Sequence, residues 1–445
     1  MKRNVRNVMF LGLLALSQPL AAADLLQTYR EARANDAVYA SAMATRDAGR
    51  ENLPQGLALL LPTIGATAFT QMNDIDISFR GVVPPSKREG NTNGYNLSLT
   101  QPLFNWQSIM LYKEAGYKVA QAEAVFGQAT QDLIVRVAQA YFDVLASQDS
   151  LAFIQAQKTA ISEQLAQAKR NFEVGTATIT DTHEAQARFD LATSQEIAAQ
   201  SDLEIKQRVL QQIIGKFPDR ITPLRPSTEL SPPNPNAMEQ WVGSAEGGNF
   251  GVLAQQAALE IATREIERNR AGHYPSLNMV ANVGKNSASI SSIGTTSLAT
   301  DSINRNAGLQ LAIPLFAGGG VNSSVRQAIA LQERSRQELE NARRNAALLA
   351  RQSFLGVTNG MAQVRALQQA LVSSQSSLDS NKLGYEVGVR INIDVLNDQQ
   401  QLFSTKRDLS RARYDTLLNG LKLKAASGAL SEEDVEAVNR LLGTD

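Results

Sequence analysis

Hydrophobic residues alternate with small or polar residues in four segments of the chain. A period of two predicts β-strands with one apolar and one polar face. Such strands suit a wall with lipid on one side and water on the other, and they suit a soluble, half-buried sheet equally well. The four segments are residues 63–72, 95–100, 276–283 and 306–313.

Most of the remaining chain is predicted to be helical, in unusually long helices. No proline occurs in 107–173 or 321–386, so each stretch predicts a helix of about 65 residues, roughly 100 Å long. Glycines at 175 and 388 suit helix C-termini, after which helices are predicted to return over 179–214 and 393–427. Within the first long helix, a coiled-coil seam is formed by Leu151, Ile154, Ile161, Leu165, Ala168 and Phe172.

The chain contains two copies of this pattern. Leu61-Pro62 returns as Tyr274-Pro275, Gln101-Pro102-Leu103-Phe104 as Ile313-Pro314-Leu315-Phe316, and Phe172-Glu173-Val174-Gly175 as Tyr385-Glu386-Val387-Gly388, at offsets of 213, 212 and 213 residues. Matched offsets indicate a tandem duplication of one large unit. Each unit is predicted to be a strand hairpin that leads into a long helical hairpin.

The duplication predicts the following organisation. The first repeat is 24–215, with a β-hairpin at about 62–103 and a helical hairpin at about 105–215. A crossover or equatorial segment, 216–250, leads to a second repeat, 251–428, with a β-hairpin at about 275–316 and a helical hairpin at about 318–427. A C-terminal segment, 429–445, is predicted to begin a short helix after Ser431.

Two further segments have a distinctive composition. Residues 216–236 contain six prolines, which exclude a continuous helix and leave either a disordered linker or a packed crossover; interleaved apolar residues favour the packed crossover. Residues 73–93 and 286–305 are rich in turn-forming residues and are predicted to be long exterior loops of the two strand hairpins.

Composition limits the chemistry that the chain can perform. It has no cysteine and only two histidines, His183 and His273, which excludes thiol chemistry and disulfides and makes histidine-based catalysis or metal binding improbable. No catalytic constellation is visible, so we expect neither an enzyme nor a cofactor. A Gly-rich stretch, 317–320, lacks the Lys and Ser/Thr of a phosphate-binding loop and suits a strand-to-helix corner.

The N-terminus predicts export from the cytoplasm. Residues 1–23 combine three basic residues, an apolar core and Ala21-Ala22-Ala23, as in a cleaved signal peptide; a membrane anchor is the alternative, but the apolar stretch is short for one. Cleavage would leave 40 of the 43 basic residues against 43 acidic ones, a balance that does not favour nucleic acid. Without cysteine, lipid anchoring is not expected.

Membrane insertion, if it occurs, is predicted to use the strands. After residue 23 no apolar stretch suits a spanning helix, since Pro62 interrupts the most apolar one. A β-barrel is the alternative, and four strands are too few to close one. The chain is therefore expected to oligomerise.

The duplicated units, the Pro-Leu-Phe exits from strand to helix and the sequence Gly384-Tyr385-Glu386-Val387-Gly388-Val389-Arg390 resemble the TolC-type outer-membrane channel-tunnel family, or outer membrane factors. The resemblance covers essentially the whole chain after the signal peptide. It implies a homotrimer in outer-membrane lipid, with a transmembrane β-barrel continued by an α-helical barrel across the periplasm. It also implies that the protein works with a periplasmic adaptor protein and an inner-membrane ABC or proton-driven transporter, in type I protein secretion or multidrug efflux.

The resemblance also implies two sets of site residues. Tyr385 and Arg390 match the inner-hairpin half of a latch at the periplasmic tip, and Thr180 and Asp181 match its outer-hairpin half. On sequence alone, Asp181 could equally well cap a helix.

The second implied set is a pore constriction. Asp394 matches its first acidic ring; the alternative from sequence alone is an Asp that stabilises the first turn of a helix. Asn397 stands where the family has a second Asp, which weakens the expected cation selectivity, and the neighbouring Asp398 could contribute.

Two other classes of protein are open alternatives. A periplasmic coiled-coil adaptor or a secreted structural adhesin would explain the long helices, but not four alternating strands in two matched pairs. The sequence does not indicate which substrate is exported or which transporter class is the partner.

Overall fold

The computed structural model describes residues 23–78, 80–81, 86–218, 220–292 and 297–443. All but the last residue of the predicted signal peptide 1–23 lies outside this part of the chain. The ten α-helices in it are α1 Leu25–Asn35, α2 Ala37–Arg50, α3 Asn52–Ala58, α4 Trp106–Glu173, α5 Ile179–Ile214, α6 Met238–Gly248, α7 Phe250–Arg270, α8 Gly320–Glu386, α9 Asn392–Ala426 and α10 Glu432–Asn439. The strands are β1 Thr63–Ile77, β2 Ser86–Phe104, β3 Ser276–Ser292 and β4 Ser297–Ala312.

The order of elements repeats, as predicted. A strand hairpin leads into a helix of 68 residues and a returning helix of 36, and then a second strand hairpin leads into helices of 67 and 35 residues. At 1.5 Å per residue, α4 and α8 are each about 100 Å long. None of the helices in the described ranges is both long and apolar enough to cross a membrane.

The four strands form one antiparallel sheet in the order β1-β2-β3-β4. Its register places the predicted apolar positions in common rows across the strands, as in the row Ile64, Leu99, Ala281 and Ala307. The next row on the other face contains Gly65, Ser98, Asn282 and Asn306. One apolar face and one polar face are therefore present, as the alternation predicted.

The prediction of long exterior loops is wrong. Most of 73–93 and 286–305 belongs to the strands, where hydrogen bonds between polar side chains support the pairing. Asn73 donates to the Thr92 hydroxyl at 3.0 Å, and Ser287 donates to the Asp301 carboxylate at 2.6 Å. Lys285 lies 3.0 Å from the same carboxylate. Polar cross-strand pairs of this kind stabilise a sheet without an apolar face.

The main core lies where the N-terminal helix α1, the middle of α4, the end of α5 and α10 meet. Tyr141 and Phe142 of α4 are almost completely buried there, and Phe142 stacks on Tyr414 of α9. The Pro-rich segment packs against this core: the Tyr141 hydroxyl donates to the Thr222 carbonyl at 2.7 Å, and Ile221 is 5% exposed. The packed alternative for 216–236 is therefore correct.

The C-terminal helix begins as predicted. Ser431 is the N-cap of α10 and forms a capping box with Asp434. The core contains the middle of α4 and the C-terminal parts of α5 and α9, and none of its buried residues adjoins the turns at 175 and 388.

Candidate functional site: the hairpin tips

Both helical hairpins turn at a glycine with a left-handed backbone. Gly175 has φ of 77° and Gly388 of 79°, a conformation that favours glycine. The amide of the third residue after each helix closes the turn, with Thr176 bonded to the Asn171 carbonyl at 2.8 Å and Val389 to the Gly384 carbonyl at 2.9 Å. These Schellman-type caps make the two tips matching structures.

The inner hairpin, α8–α9, packs against the outer hairpin, α4–α5, through α9. Leu396 of α9 is 1% exposed and lies in one cluster with Ile161 and Leu165 of α4. Its neighbour Val395 is fully buried and packs instead on Leu378 of α8. The first turns of α9 therefore lie between α8 and the outer hairpin and contact both.

The predicted latch residues have other partners within the chain. Asp181 accepts hydrogen bonds from the backbone amide and hydroxyl of Thr178 at 3.0 and 2.8 Å, and the two residues form the capping box that begins α5. Thr180 is exposed beside it. The alternative role of Asp181 at a helix start is thus present, with Thr178 as the N-cap and Asp181 three residues later.

On the inner hairpin, Tyr385 and Arg390 also have separate partners. Tyr385 is half-buried, and its hydroxyl accepts a hydrogen bond from Asn171 of α4 at 3.2 Å, so it does join the two hairpins. The Arg390 guanidinium lies 3.7 Å from Asp394, one turn further along its own hairpin. Its aliphatic stem crosses Gly384, where an added Cβ would lie 2.7 Å from Arg390 Cγ.

The three predicted constriction residues are not equivalent. Asp394 lies in the first turn of α9, where a carboxylate stabilises the helix dipole, and its side chain is 33% exposed. Asp398 accepts from Ser377 and Asn381 of α8 at 2.8 and 2.6 Å, and so ties α9 to α8.

Asn397 points away from Asp398, toward the outer hairpin. Its side-chain oxygen accepts from the Arg188 guanidinium of α5 at 2.9 Å. Residue 397 therefore joins the two hairpins within this chain through its side-chain oxygen.

Three further residues that no sequence pattern singled out also join the two hairpins: Arg188, Gln164 and Asn392. Asn392 is 1% exposed at the first position of α9, and Gln164 of α4 donates to it at 2.5 Å. One sequence signal could have revealed Asn392: it precedes Leu396 by four residues, so a polar amide occupies the helix face that packs on the outer hairpin.

The polar residues at the tips form contacts between helices. In the part of the chain that the structure describes, no group of three or more His, Asp or Glu is placed to hold a metal ion. The groups that join helices at the tips are amides, hydroxyls, the Asp398 carboxylate and the Arg188 guanidinium.

The chain matches a family model described as "Outer membrane efflux protein" twice, over residues 28–216 and 241–429. It is 32% identical to the outer membrane protein TolC of Vibrio cholerae, over 95% of each chain. It is also 32% identical to the alkaline protease secretion protein AprF of Pseudomonas aeruginosa, over 96% of this chain and 89% of that one. The crystal structure of the Campylobacter jejuni CmeC outer membrane channel superposes with a TM-score of 0.78, at 15% identity, over 99% of this chain and 97% of that one.

The two family matches correspond to the two repeats, and the fold agrees with that of an outer membrane channel across nearly the whole chain. On this evidence the chain belongs to the outer membrane efflux protein family.

Proposed function

We propose that three copies of the chain form one outer-membrane export duct. Each copy would contribute its four strands to a shared β-barrel and its two helical hairpins to a helical barrel that crosses the periplasm. The duct would conduct substrates passively, without a cofactor or a catalysed step.

The observation that carries this proposal is the junction between sheet and helix. β2 ends at Phe104 and α4 begins at Trp106, so one residue separates a strand from a helix of 68 residues. In the second repeat, β4 ends at Ala312 and α8 begins at Gly320. A short strand-to-helix junction in each repeat makes the sheet and the helices one continuous wall, as a duct requires.

The sheet of one chain supports assembly with other copies. Apolar side chains on it are exposed in the single chain, with Ile64 69% exposed and Leu309 68% exposed. Four strands fall short of the roughly eight that close the smallest barrels. Three copies would supply twelve strands, and the apolar face would then meet lipid.

An export duct of this kind also needs partner proteins. A passive duct needs an energy source elsewhere, which we propose to be an inner-membrane ABC or proton-driven transporter coupled through a periplasmic adaptor. Type I protein secretion and multidrug efflux both use such an arrangement. The relative AprF is named for the secretion of a protease, and this supports protein secretion for this chain as well.

We further propose that the predicted latch closes the tips in the trimer. The Arg390 side chain is 57% exposed, which leaves its guanidinium accessible to the Asp181 carboxylate of a neighbouring copy. Its contact with Asp394 is an exposed pair, worth at most about 1 kcal/mol, and would yield to such a partner.

The latch predicts that Arg390→Ser combined with Tyr385→Phe raises single-channel conductance in planar bilayers, because the inner hairpins would relax outward. Arg344→Ser is a matched control, since Arg344 is an exposed residue of α8 that bonds only Glu340 of its own helix at 2.8 Å. Equal conductance in the wild type and the double variant would rule out the latch.

Asp394 is proposed to line the constriction, where three copies would attract cations. We expect Asp394→Ala to lower the cation preference of the channel, measured as the reversal potential in a salt gradient. Asp415→Ala is the control, because Asp415 forms the same type of pair with an Arg four residues earlier, at 3.3 Å from Arg411. If the reversal potential of Asp394→Ala is unchanged, Asp394 acts only at the helix start.

A further inference from the structure

Two basic residues lie on the apolar face of the sheet. Arg305 is two residues from Ala307 on β4, and Lys285 is four residues from Ala281 on β3. An even spacing along a strand keeps side chains on one side, so both basic residues share the face of the apolar row that contains those alanines. The register pairs Lys285 with Ile303, which is two residues from Arg305. The two basic residues are therefore diagonal neighbours, with Cα atoms about 7–8 Å apart, a distance that long side chains can span.

The basic pair lies toward the end of the sheet opposite the long helices. The helices follow the strand ends at Phe104 and Ala312 and extend into the periplasm, so the opposite end of the strands is at the outer leaflet of the membrane. The apolar face reaches down to Leu311, which is 60% exposed. From Leu311 to Ile303, the partner of Lys285, the strand rises about 27 Å, or roughly 20 Å along the membrane normal at a tilt near 40°. The pair is therefore near the height at which an apolar band of about 25 Å ends.

The charge of the pair is only partly balanced within the chain. Lys285 lies 3.0 Å from the Asp301 carboxylate, which also accepts from Ser287 at 2.6 Å and is 66% exposed. Arg305 is exposed, and no residue that the structure describes bonds or pairs with its guanidinium. Two cations and one carboxylate leave an excess positive charge on the face that would meet lipid. Tyr95, which pairs with Lys285, is 58% exposed, and such aromatic rings are typical of the level of lipid headgroups.

We infer that Lys285 and Arg305 bind a phosphate group of the phosphorylated glycolipid of the outer leaflet, whose acyl chains would lie along the apolar rows below. An arginine fork fits two phosphate oxygens, and a lysine adds a point charge from the side. The inference goes beyond the proposed export duct and rests on it in one respect, that the apolar face of the sheet meets lipid. Because β4 is an edge strand, a carboxylate on β1 of the next copy is the competing partner for Arg305.

Titration of the purified, detergent-solubilised protein with lipopolysaccharide tests the inference, with bound glycolipid counted by native mass spectrometry. Lys285→Gln combined with Arg305→Gln should weaken binding roughly 30-fold, about fivefold for each basic residue. The matched control is Arg365→Gln, because Arg365 is an exposed arginine of α8 that lies roughly 70 Å along the helix from the sheet. We expect Arg365→Gln to bind lipopolysaccharide as the wild type does.

Asp301→Asn should have the opposite effect. The substitution removes the carboxylate that holds Lys285, so lipopolysaccharide should bind several-fold more tightly. A misfolded variant would lose binding, so an increase cannot come from misfolding. Lipopolysaccharide stripped of its phosphates should bind the wild type as weakly as the intact glycolipid binds the double variant. Inorganic phosphate at the same concentration should not displace the glycolipid, because it lacks the acyl chains.

The outcomes separate this inference from the export duct. If the wild type and the double variant bind intact and phosphate-free lipopolysaccharide equally well, the inference is overturned, whether or not the protein conducts. It is also overturned if Arg305→Gln leaves glycolipid binding unchanged and lowers the thermal stability of the assembly in lipid-free detergent, since Arg305 would then pair with the next copy. If the wild type carries no current in planar bilayers while binding depends on phosphate and on both basic residues, the glycolipid site stands and the export duct fails.

Discussion

Replacement of Gly428 by alanine is expected to destabilise the protein by roughly 3 kcal/mol or more. Gly428 is the second residue after α9 and has φ of 76°, and an added Cβ would lie 2.0 Å from the Gly248 carbonyl oxygen and 2.7 Å from its carbon. Backbone atoms on both sides leave no flexible side chain to move away. The end of α9 and the end of α6 would have to separate.

Gly420→Ala is the matched control for that substitution. Gly420 lies inside α9, and nothing is within 4 Å of the position of an added Cβ. Alanine in a helix is favoured over glycine by about 0.5–1 kcal/mol, so this variant should be slightly more stable than the wild type. The thermal unfolding midpoint, followed by the circular dichroism of the helices, should fall in Gly428→Ala and rise in Gly420→Ala. A fall of equal size in both variants would contradict the close approach at Gly428.

Replacement of Asp36 by alanine is expected to lower the free energy of unfolding by about 2–3 kcal/mol. This loss is smaller than that for a fully buried ion pair, because the Arg136 side chain is 37% exposed. Asp36 is 4% exposed, caps α2 through the Tyr39 amide at 2.6 Å, and accepts two bonds from Arg136 at 3.0 and 3.1 Å. The substitution removes the cap and leaves the guanidinium of Arg136 without its partner. Asp47→Ala is the control, since Asp47 is in the same helix, is 56% exposed against 4% for Asp36, and pairs with the adjacent Arg46.

The contribution of Asp36 to the stability of the protein should depend on pH. Burial raises the pKa of Asp36, but the hydrogen bonds from Arg136 and the Tyr39 amide outweigh it, and the net pKa is below the usual value. A carboxyl whose folded pKa is lowered stabilises the protein above its unfolded pKa of about 3.9 and loses that effect as pH falls through the folded pKa. The stability difference between wild type and Asp36→Ala should therefore be constant near neutral pH and shrink below about pH 4. A difference that grows on acidification would contradict the assignment.

The helical part of the fold could be predicted from local sequence. The absence of proline and the glycines at 175 and 388 determine where the long helices run and end, and the returning helix α5 has the predicted limits, Ile179–Ile214. The strands were predicted too short, because apolar alternation ends before the pairing does. Beyond Asn73, pairing continues through polar side chains that the periodicity of hydrophobic residues cannot detect.

The tip contacts were harder to predict, because they join residues about 210 positions apart. Tyr385 was expected opposite Asp181, and within the chain it bonds Asn171, which lies one helix away. Whether Asn171 or Asp181 faces Tyr385 depends on the rotation of α4 relative to α8, and this rotation cannot be read from a single sequence. For the same reason Arg188 appeared to be an ordinary charged residue of an exposed helix face until Asn397 and Gln400 were placed opposite it.

The protein is an outer-membrane export duct, and we propose that its entrance lies at the hairpin tips. Val389→Cys places the only thiol of the chain at the inner tip, where Val389 is 76% exposed. With the protein inserted in a planar bilayer from one side, we predict stepwise currents of uniform size, and a stepwise loss of current when a large thiol reagent is added on the tip side. Folded, inserted protein that carries no current, or a current that the reagent leaves unchanged, would contradict the account.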